Sequence, residues 1–224
     1  MLNYVNELEE IKEEWLPSRE QLFAVLKRFG MGERKLQHSQ DVADFSLKIA
    51  QEVEKDGIEV KKKIVEAGAM LHDIGIVYML DDLSPEHSVI GAEMIRKLGL
   101  PESVARCAET HDAGGTVTWQ EAKDWKYPIL PLKETYVPQS IEEKIVCAGD
   151  LFISILIEGP EDFGFEIGDL WKNPEEAIVM MLYSYCRDVY KKKLGREITK
   201  DHPMVRRGYE LHKDFIKYIK PDFV

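Results

Sequence analysis

The sequence predicts an all-α fold, a helical bundle with further helices added at its N- and C-terminal ends. Two observations carry that prediction. Apolar residues recur at spacings of three and four along most of the 224 residues, and almost nothing alternates as a strand would. The periodic stretches are closed by Gly or Pro, and several open on Ser or Pro, the punctuation of helix ends.

Leu2, Val5, Leu8, Ile11 and Trp15 form the first stripe, broken by Pro17 and Ser18. A second short helix is expected from about Ser18 to Phe29, stopped by Gly30 to Gly32, so residues 1–30 read as an N-terminal addition. A longer helix follows over about Leu36 to Lys55, closed by Gly57. Its buried stripe is Val42, Phe45, Ile49 and Val53, and His38, four residues before Val42, extends it inward. Ile64 to Leu71 is apolar or small at most positions and leads into His72-Asp73, with Gly75 read as the helix stop. A loop containing Asp81 and Asp82 comes next. Ser84-Pro85-Glu86 then reads as a helix start, with Ser as N-cap, Pro at the first position and an acid in the first turn. Its stripe is His87, Gly91, Met94 and Leu98. Gly99 ends it, and Pro101 opens another helix with the stripe Val104, Ala108 and His111.

Residues 112–139 change character, with Gly114-Gly115, Pro128, Pro131 and Pro138 around one short helix near Gln120 to Trp125. A segment of this length anchored beside His111 reads as a lid hinged at Gly114-Gly115. Trp119, Trp125 and Tyr127 either offer it a stacking surface for a base or tie it to the domain surface. Ser140 to Ile157 is the most apolar helix. Ile141, Ile145, Ala148, Phe152 and Ile155 form one stripe, and Val146, Asp150, Ile153 and Ile157 a second, so Asp150 is a lone carboxylate in a central helix ended by Gly159-Pro160. Residues 175–193 and 203–219 read as two more helices, separated by Gly195 and Pro203, with His212 as a core or interface histidine. The expected organisation is one domain, with a core over 31–158 and a C-terminal addition over 159–224.

A formal net charge of −11 repels phosphate backbones and argues against a broad nucleic-acid surface, while leaving room for a local pocket that takes a small anion. Cys107, Cys147 and Cys186 lie far apart, which argues against a disulfide framework or a zinc-thiolate site. No apolar run is long enough to span a bilayer, and the expected location is cytoplasmic.

Burying His72 and Asp73 side by side costs free energy unless something pairs them. A salt-bridged pair capping a helix is one answer. Shared ligation of a metal is the other, and it needs more histidines and a further carboxylate. His38, His87, His111 and Asp150, all at inward positions on separate helices, supply them. Taken singly, each of these histidines is more often a satisfied core residue; the combination with two carboxylates is what points to a metal. A nitrogen and carboxylate donor set without thiolate suits Fe, Mn, Zn, Co or Ni, with Mg at a more oxygen-rich position.

The order His38, His72-Asp73, Asp150 resembles the H…HD…D signature of the HD-domain metal-dependent phosphohydrolase superfamily, and His72-Asp73-Ile74-Gly75 matches its HDIG form. Agreeing segments are His38 opening H-x3-V-A, Pro85-Glu86-His87-Ser88-x2-Gly91-Ala92 and Lys144-Ile145-x2-Ala148-Gly149-Asp150, so the resemblance covers about residues 36–158. His111-x2-Gly114-Gly115 and Asp201-His202-Pro203-x2-Arg206-Arg207 also look like an uncharacterised archaeal branch of HDIG proteins. The resemblance implies an HD-domain bundle in which His38, His72, Asp73 and Asp150 hold one metal. It implies that His87 and His111 hold a second metal with Asp73 bridging, and that Asp73 and His72 lie at the catalytic centre. Bacterial hydrolases of diadenosine tetraphosphate and HD-type cyclic-dinucleotide phosphodiesterases resemble this arrangement.

The function expected is hydrolysis of a nucleotide or other small phosphate mono- or diester by metal-activated water. Fe or Mn come first as metals, ahead of Co, Ni, Zn and Mg. A silent nucleotide-binding module and a di-iron oxygenase are the rivals. Arg34, Lys35, Arg106 and Lys144 lie within a few residues of these ligands and are candidate phosphate contacts, although any one of them taken singly is more often a solvated surface charge. Two positions depart from the family pattern: Ile76 stands where many HDIG proteins carry Lys, and Asp112 where some dinuclear members carry a second His.

Overall fold

The computed structural model describes residues 15–79, 86–154, 172–219 and Phe223. Among these residues there is no strand, and the fold is all-α. The elements are α1 (Arg19–Arg28), α2 (Glu33–Lys55), α3 (Lys62–Leu71), α4 (His87–Lys97), α5 (Glu102–Thr110), the short α6 (Asp112–Gly115), α7 (Trp119–Asp124), α8 (Ile141–Ile153), α9 (Pro174–Leu194) and α10 (Pro203–His212). Turns of 3-10 helix follow at Ile74–Tyr78 and Lys213–Tyr218. Several expectations lie outside the described residues: the helix over 2–14, the Asp81-Asp82 loop, the Ser84-Pro85 start, and the Gly159-Pro160 stop with Ile155 and Ile157. No helix among the described residues is long and apolar enough to cross a membrane.

Side chains set where several helices begin. Ser18 accepts from the Gln21 amide while Gln21 accepts from the Ser18 amide, a reciprocal cap that satisfies two orphan donors of α1. Thr118 with Glu121 and Ser140 with Glu143 do the same for α7 and α8. Burial of Val42, Phe45, Ile49 and Val53 in α2, and of Ile145, Ala148 and Phe152 in α8, follows the stripes read from the sequence. The central α8 packs on α2, α3 and α5. Gly149 permits its approach to α2, since a Cβ there would meet Ser46 Oγ at 2.0 Å.

Gly75 has a different role from a helix stop. α3 already ends at Leu71, and the chain continues through the 3-10 turn. A Cβ on Gly75 would lie 2.0 Å from the His87 carbonyl oxygen, so this glycine lets the first turn of α4 lie directly on the His72-Asp73 segment.

The hinge expected at Gly114-Gly115 is corrected. Ala113, Gly114 and Gly115 run consecutively in the left-handed region, at φ 51°, 66° and 73°, and all three are buried. A Cβ on Gly115 would meet Cys147 Sγ, Leu211 Cδ2 and Pro138 Cγ at 2.8 Å each. Such a turn is locked by packing rather than free to swing. His212 seals it, its Nε2–H donating to the Gly114 carbonyl at 2.8 Å. Burial pushes that ring down to about 4, so His212 is a neutral core residue. Arg207 from α10 donates to the Thr116 carbonyl at 2.9 Å and to Glu121 at 2.7 Å, which ties α10 to the same turn.

Candidate metal centre

Six side chains from five helices and one turn converge. His38 comes from the second turn of α2. His72 caps the C-terminus of α3, and Asp73 follows it. His87 is the first residue of α4, His111 caps the C-terminus of α5, and Asp150 lies inside α8. Five of the six are nearly or fully buried, and Asp150 is 20% exposed at its side chain.

Helix ends orient two of the rings. The last carbonyls of a helix have no amide partner within it. His72 Nδ1–H donates to the Ala69 carbonyl at 2.7 Å, and His111 Nδ1–H to the Ala108 carbonyl at 2.7 Å. Assigned from these bonds, the tautomer leaves each Nε2 lone pair facing inward, as a metal-ligating imidazole requires.

The donors then sort into two groups. His38 Nε2 lies 3.2 Å from His72 Nε2 and 3.1 Å from Asp150 Oδ1. His87 Nε2 lies 2.9 Å from His111 Nε2. Asp73 stands between them. Its Oδ2 faces His72 Nε2 at 3.5 Å and His38 Nε2 at 3.7 Å, while its Oδ1 faces His87 Nε2 at 3.1 Å and His111 Nε2 at 3.5 Å. His38, His72 and Asp150, and likewise His72, Asp73 and His111, lie close enough together to hold a metal ion.

The electrostatics fit such an ion. Burial alone would raise the Asp73 and Asp150 carboxyls. The proximity of His72 and the Lys35 ammonium holds Asp73, and the proximity of His38 and His72 holds Asp150, well below the usual carboxylate range. Burial pushes the His111 ring down, toward the neutral form that ligates. The His72 and His111 lone pairs face the Nε2 atoms of His38 and His87, and each such pair needs a proton or a cation between its nitrogens. A cation held by each pair would remove that repulsion, so the donor set fits divalent metal.

Of the four cations read from the sequence, the structure brings Lys35 to this cluster, with Nζ 2.9 Å from Asp73 Oδ2. Arg34 is exposed near the start of α2, and Lys144 is half-buried near the start of α8. Arg106 is a correction. It is 4% exposed, and its guanidinium is committed to Glu109 at 2.6 Å, the Thr135 carbonyl at 2.6 Å and Glu143 at 3.2 Å. That network fastens the 131–139 segment to α5 and α8. Its charge is neutralised in place, so it is unsuited to a phosphate. Trp125 sets its ring edge-on to Tyr190 of α9 at 5.7 Å, and Lys123 lies over the Trp119 ring at 5.1 Å.

Beside the His87–His111 pair lie residues that the sequence reading did not assign to a site. Asp112 is 3% exposed, and burial pushes its carboxyl up to about 7. Tyr185 Oη donates to its Oδ1 at 3.4 Å. Ser88 and Tyr136 share a hydrogen bond of 2.7 Å. Adjacency to His111 and the departure from the family pattern pointed to Asp112, and adjacency to His87 pointed to Ser88; Tyr136 and Tyr185 arrive from distant segments.

Comparison with known proteins shows the family. The family model described as HD domain matches residues 36–153. The uncharacterized protein MJ0778 of Methanocaldococcus jannaschii is 30% identical over 204 residues, 90% of this chain and 98% of that one. A tRNA (cytidine(56)-2'-O)-methyltransferase of Picrophilus torridus is 31% identical over 141 residues, 63% of this chain, which spans only 38% of that relative's length. Among solved structures, the HD domain of the L. monocytogenes phosphodiesterase PgpH in complex with cyclic-di-AMP matches at 20% identity and a TM-score of 0.44, over 86% of this chain and 93% of that one.

Proposed function

The chain belongs to the HD domain family, within a superfamily of metal-dependent phosphohydrolases that bind divalent metals, and from that premise we propose that it hydrolyses a nucleotide or similar small phosphate ester at a two-metal site. One observation carries the proposal: the two oxygens of Asp73 face two different histidine groups. In this reading His38, His72, Asp73 and Asp150 would hold one ion, and His87 and His111, with Asp73 shared, would hold the other. Divalent ions so placed supply Lewis-acid charge that neutralises phosphate oxygens and acidifies water. Asp73 sets the spacing between the two positions, and the Nδ1–H bonds of His72 and His111 hold their rings in the ligating orientation. The Lys35 ammonium, beside Asp73, is placed to meet a phosphate oxygen. Fe or Mn are the metals proposed first, within a donor set that also suits Zn, Co and Ni. A methyltransferase reading has weaker support, since the relative bearing that name extends well beyond the matched part and the buried imidazoles and carboxylates form a metal-holding set.

Elemental analysis after mild purification, with a hydrolysis screen of mononucleotides, dinucleoside polyphosphates and cyclic nucleotides in Mn, Co, Ni and Mg, tests the proposal. Two ions per chain and turnover abolished by EDTA are expected. Asp73→Ala should lose both ions and all turnover, whereas His87→Ala should retain one ion. Wild-type protein that takes up no metal, or turnover that survives in Asp73→Ala, would sink the reading.

A further inference from the structure

His87 is the first residue of α4, and helix ends fray unless something holds them. Glu86, the residue before it, gives α4 no side-chain cap. Placement of the His87 ring therefore depends on what grips the first turn from outside. Gly75 packs against the His87 carbonyl, and Lys193 of α9 pairs with Glu86. A third grip is the 2.7 Å hydrogen bond between Ser88 Oγ and Tyr136 Oη. Both residues are buried, so water does not compete for the bond. Tyr136 is itself held stiffly. Arg106 Nη2 donates to the carbonyls on either side of it, that of Thr135 at 2.6 Å and that of Val137 at 3.4 Å. Glu109 of α5 and Glu143 of α8 fix the guanidinium in turn. The same two carboxylates accept the Leu132 amide at 3.4 Å and the Gln139 amide at 3.2 Å. The 131–139 segment is thus fastened to two core helices near both ends and in its middle, and it presents one phenol hydroxyl to the turn that carries His87.

We propose that Tyr136 is a positioning residue that, through Ser88, fixes the His87 ring against Asp73. Its consequence for metal rests on the two-ion reading above, in which His87 belongs to the second ion. Ser88 and His87 share a peptide bond, so any shift of the turn is passed to the ring. That ring has its Nε2 3.1 Å from Asp73 Oδ1 and 2.9 Å from His111 Nε2, and donors so close tolerate little displacement before they no longer converge on one ion. Groups that orient a metal-ligating histidine govern metal affinity even though they never touch the metal. The 131–139 segment is in this reading a brace for α4, and Arg106 is the clamp on the brace. The buried charges of Arg106, Glu109 and Glu143 thereby acquire a purpose at the metal centre without contacting it.

The test compares Tyr136→Phe, Ser88→Ala and the double variant with wild type. Phe keeps the ring and its packing and removes only the hydroxyl. In proton–carbon spectra of the histidine rings of the metal-free protein, the His87 signal should shift or broaden in each variant while those of His38, His72 and His212 stay in place. Titration calorimetry with Mn should show the second ion weakened about tenfold in each variant and the first ion unchanged. The double variant should be no worse than either single one, because all three lose the same bond. In Ser88→Ala the buried Tyr136 hydroxyl is left without its partner, and the double variant removes that hydroxyl as well. Recovery of the second ion in the double variant would trace the loss to the stranded hydroxyl and overturn the proposal. An unmoved His87 signal, equal shifts at all of these histidines, or a second ion held at wild-type affinity in Tyr136→Phe overturns it too. Wild type that binds a single ion would reject the two-ion reading, and the His87 signal of the metal-free protein then decides the positioning role by itself.

Discussion

A histidine's role in this chain depends on which of its nitrogens is spoken for. His72 and His111 give Nδ1–H to carbonyls at the ends of their own helices and turn Nε2 inward. His212 spends Nε2–H on the Gly114 carbonyl and sits in the core. The two environments predict different responses to acid. The His212 ring is lowered from 6.5 to about 4, so the unfolded chain binds its proton first. Its contribution is complete above pH 6.5 and is lost as pH falls through about 4, a loss on the order of 3 kcal/mol. His212→Gln keeps an N–H donor without titrating. Its melting temperature should fall less than that of wild type between pH 6.5 and 4, which thermal melts across that range would read; parallel curves would refute this. Lys35→Met should raise KM for p-nitrophenyl phosphate by about tenfold while metal content stays whole. Metal lost together with affinity would show that Lys35 instead supports Asp73.

At the scale of elements, the site depends on how closely two segments approach. α4 starts on Gly75, with a hypothetical Cβ 2.0 Å from the His87 carbonyl oxygen. Gly75→Ala must therefore push the first turn of α4 away and carry His87 from Asp73 Oδ1, now 3.1 Å away. The expected outcome is a folded protein that holds one ion rather than two, seen by elemental analysis beside a circular-dichroism melt. Two ions retained at wild-type affinity would mean that α4 accommodates the methyl without moving His87. The glycine was visible in the sequence, but its purpose was not, because helix stop and close approach leave the same residue behind. Arg106 shows the converse. Its position near His111 suggested a phosphate contact, yet Glu109 and Glu143 neutralise it, and a buried guanidinium so paired is a fastener.

Over the whole molecule, an acidic surface encloses a small cationic opportunity. With a net charge of −11, the protein should not retard duplex DNA or tRNA in a gel shift at physiological salt. Micromolar retardation of tRNA would redirect attention to the function named for its methyltransferase relative. The helices after residue 172 do not stand apart from the core. They reach back to the turn behind His111 through Arg207, His212 and Tyr185, and so close one side of the candidate centre.

The sequence by itself determined the all-α class, the main helices and the inward stripes that carry His38, His87, His111 and Asp150, because a period near 3.6 and the chemistry of helix ends are local properties of the chain. It also contained the HD signature, since adjacency and order survive without coordinates. Only the tertiary structure decided that the two oxygens of Asp73 face different partners, that Lys35 reaches the cluster while Arg106 does not, and that Gly114-Gly115 is a packed turn. These depend on side chains from separate helices meeting within a few ångströms, and spacing along one chain does not encode such distances.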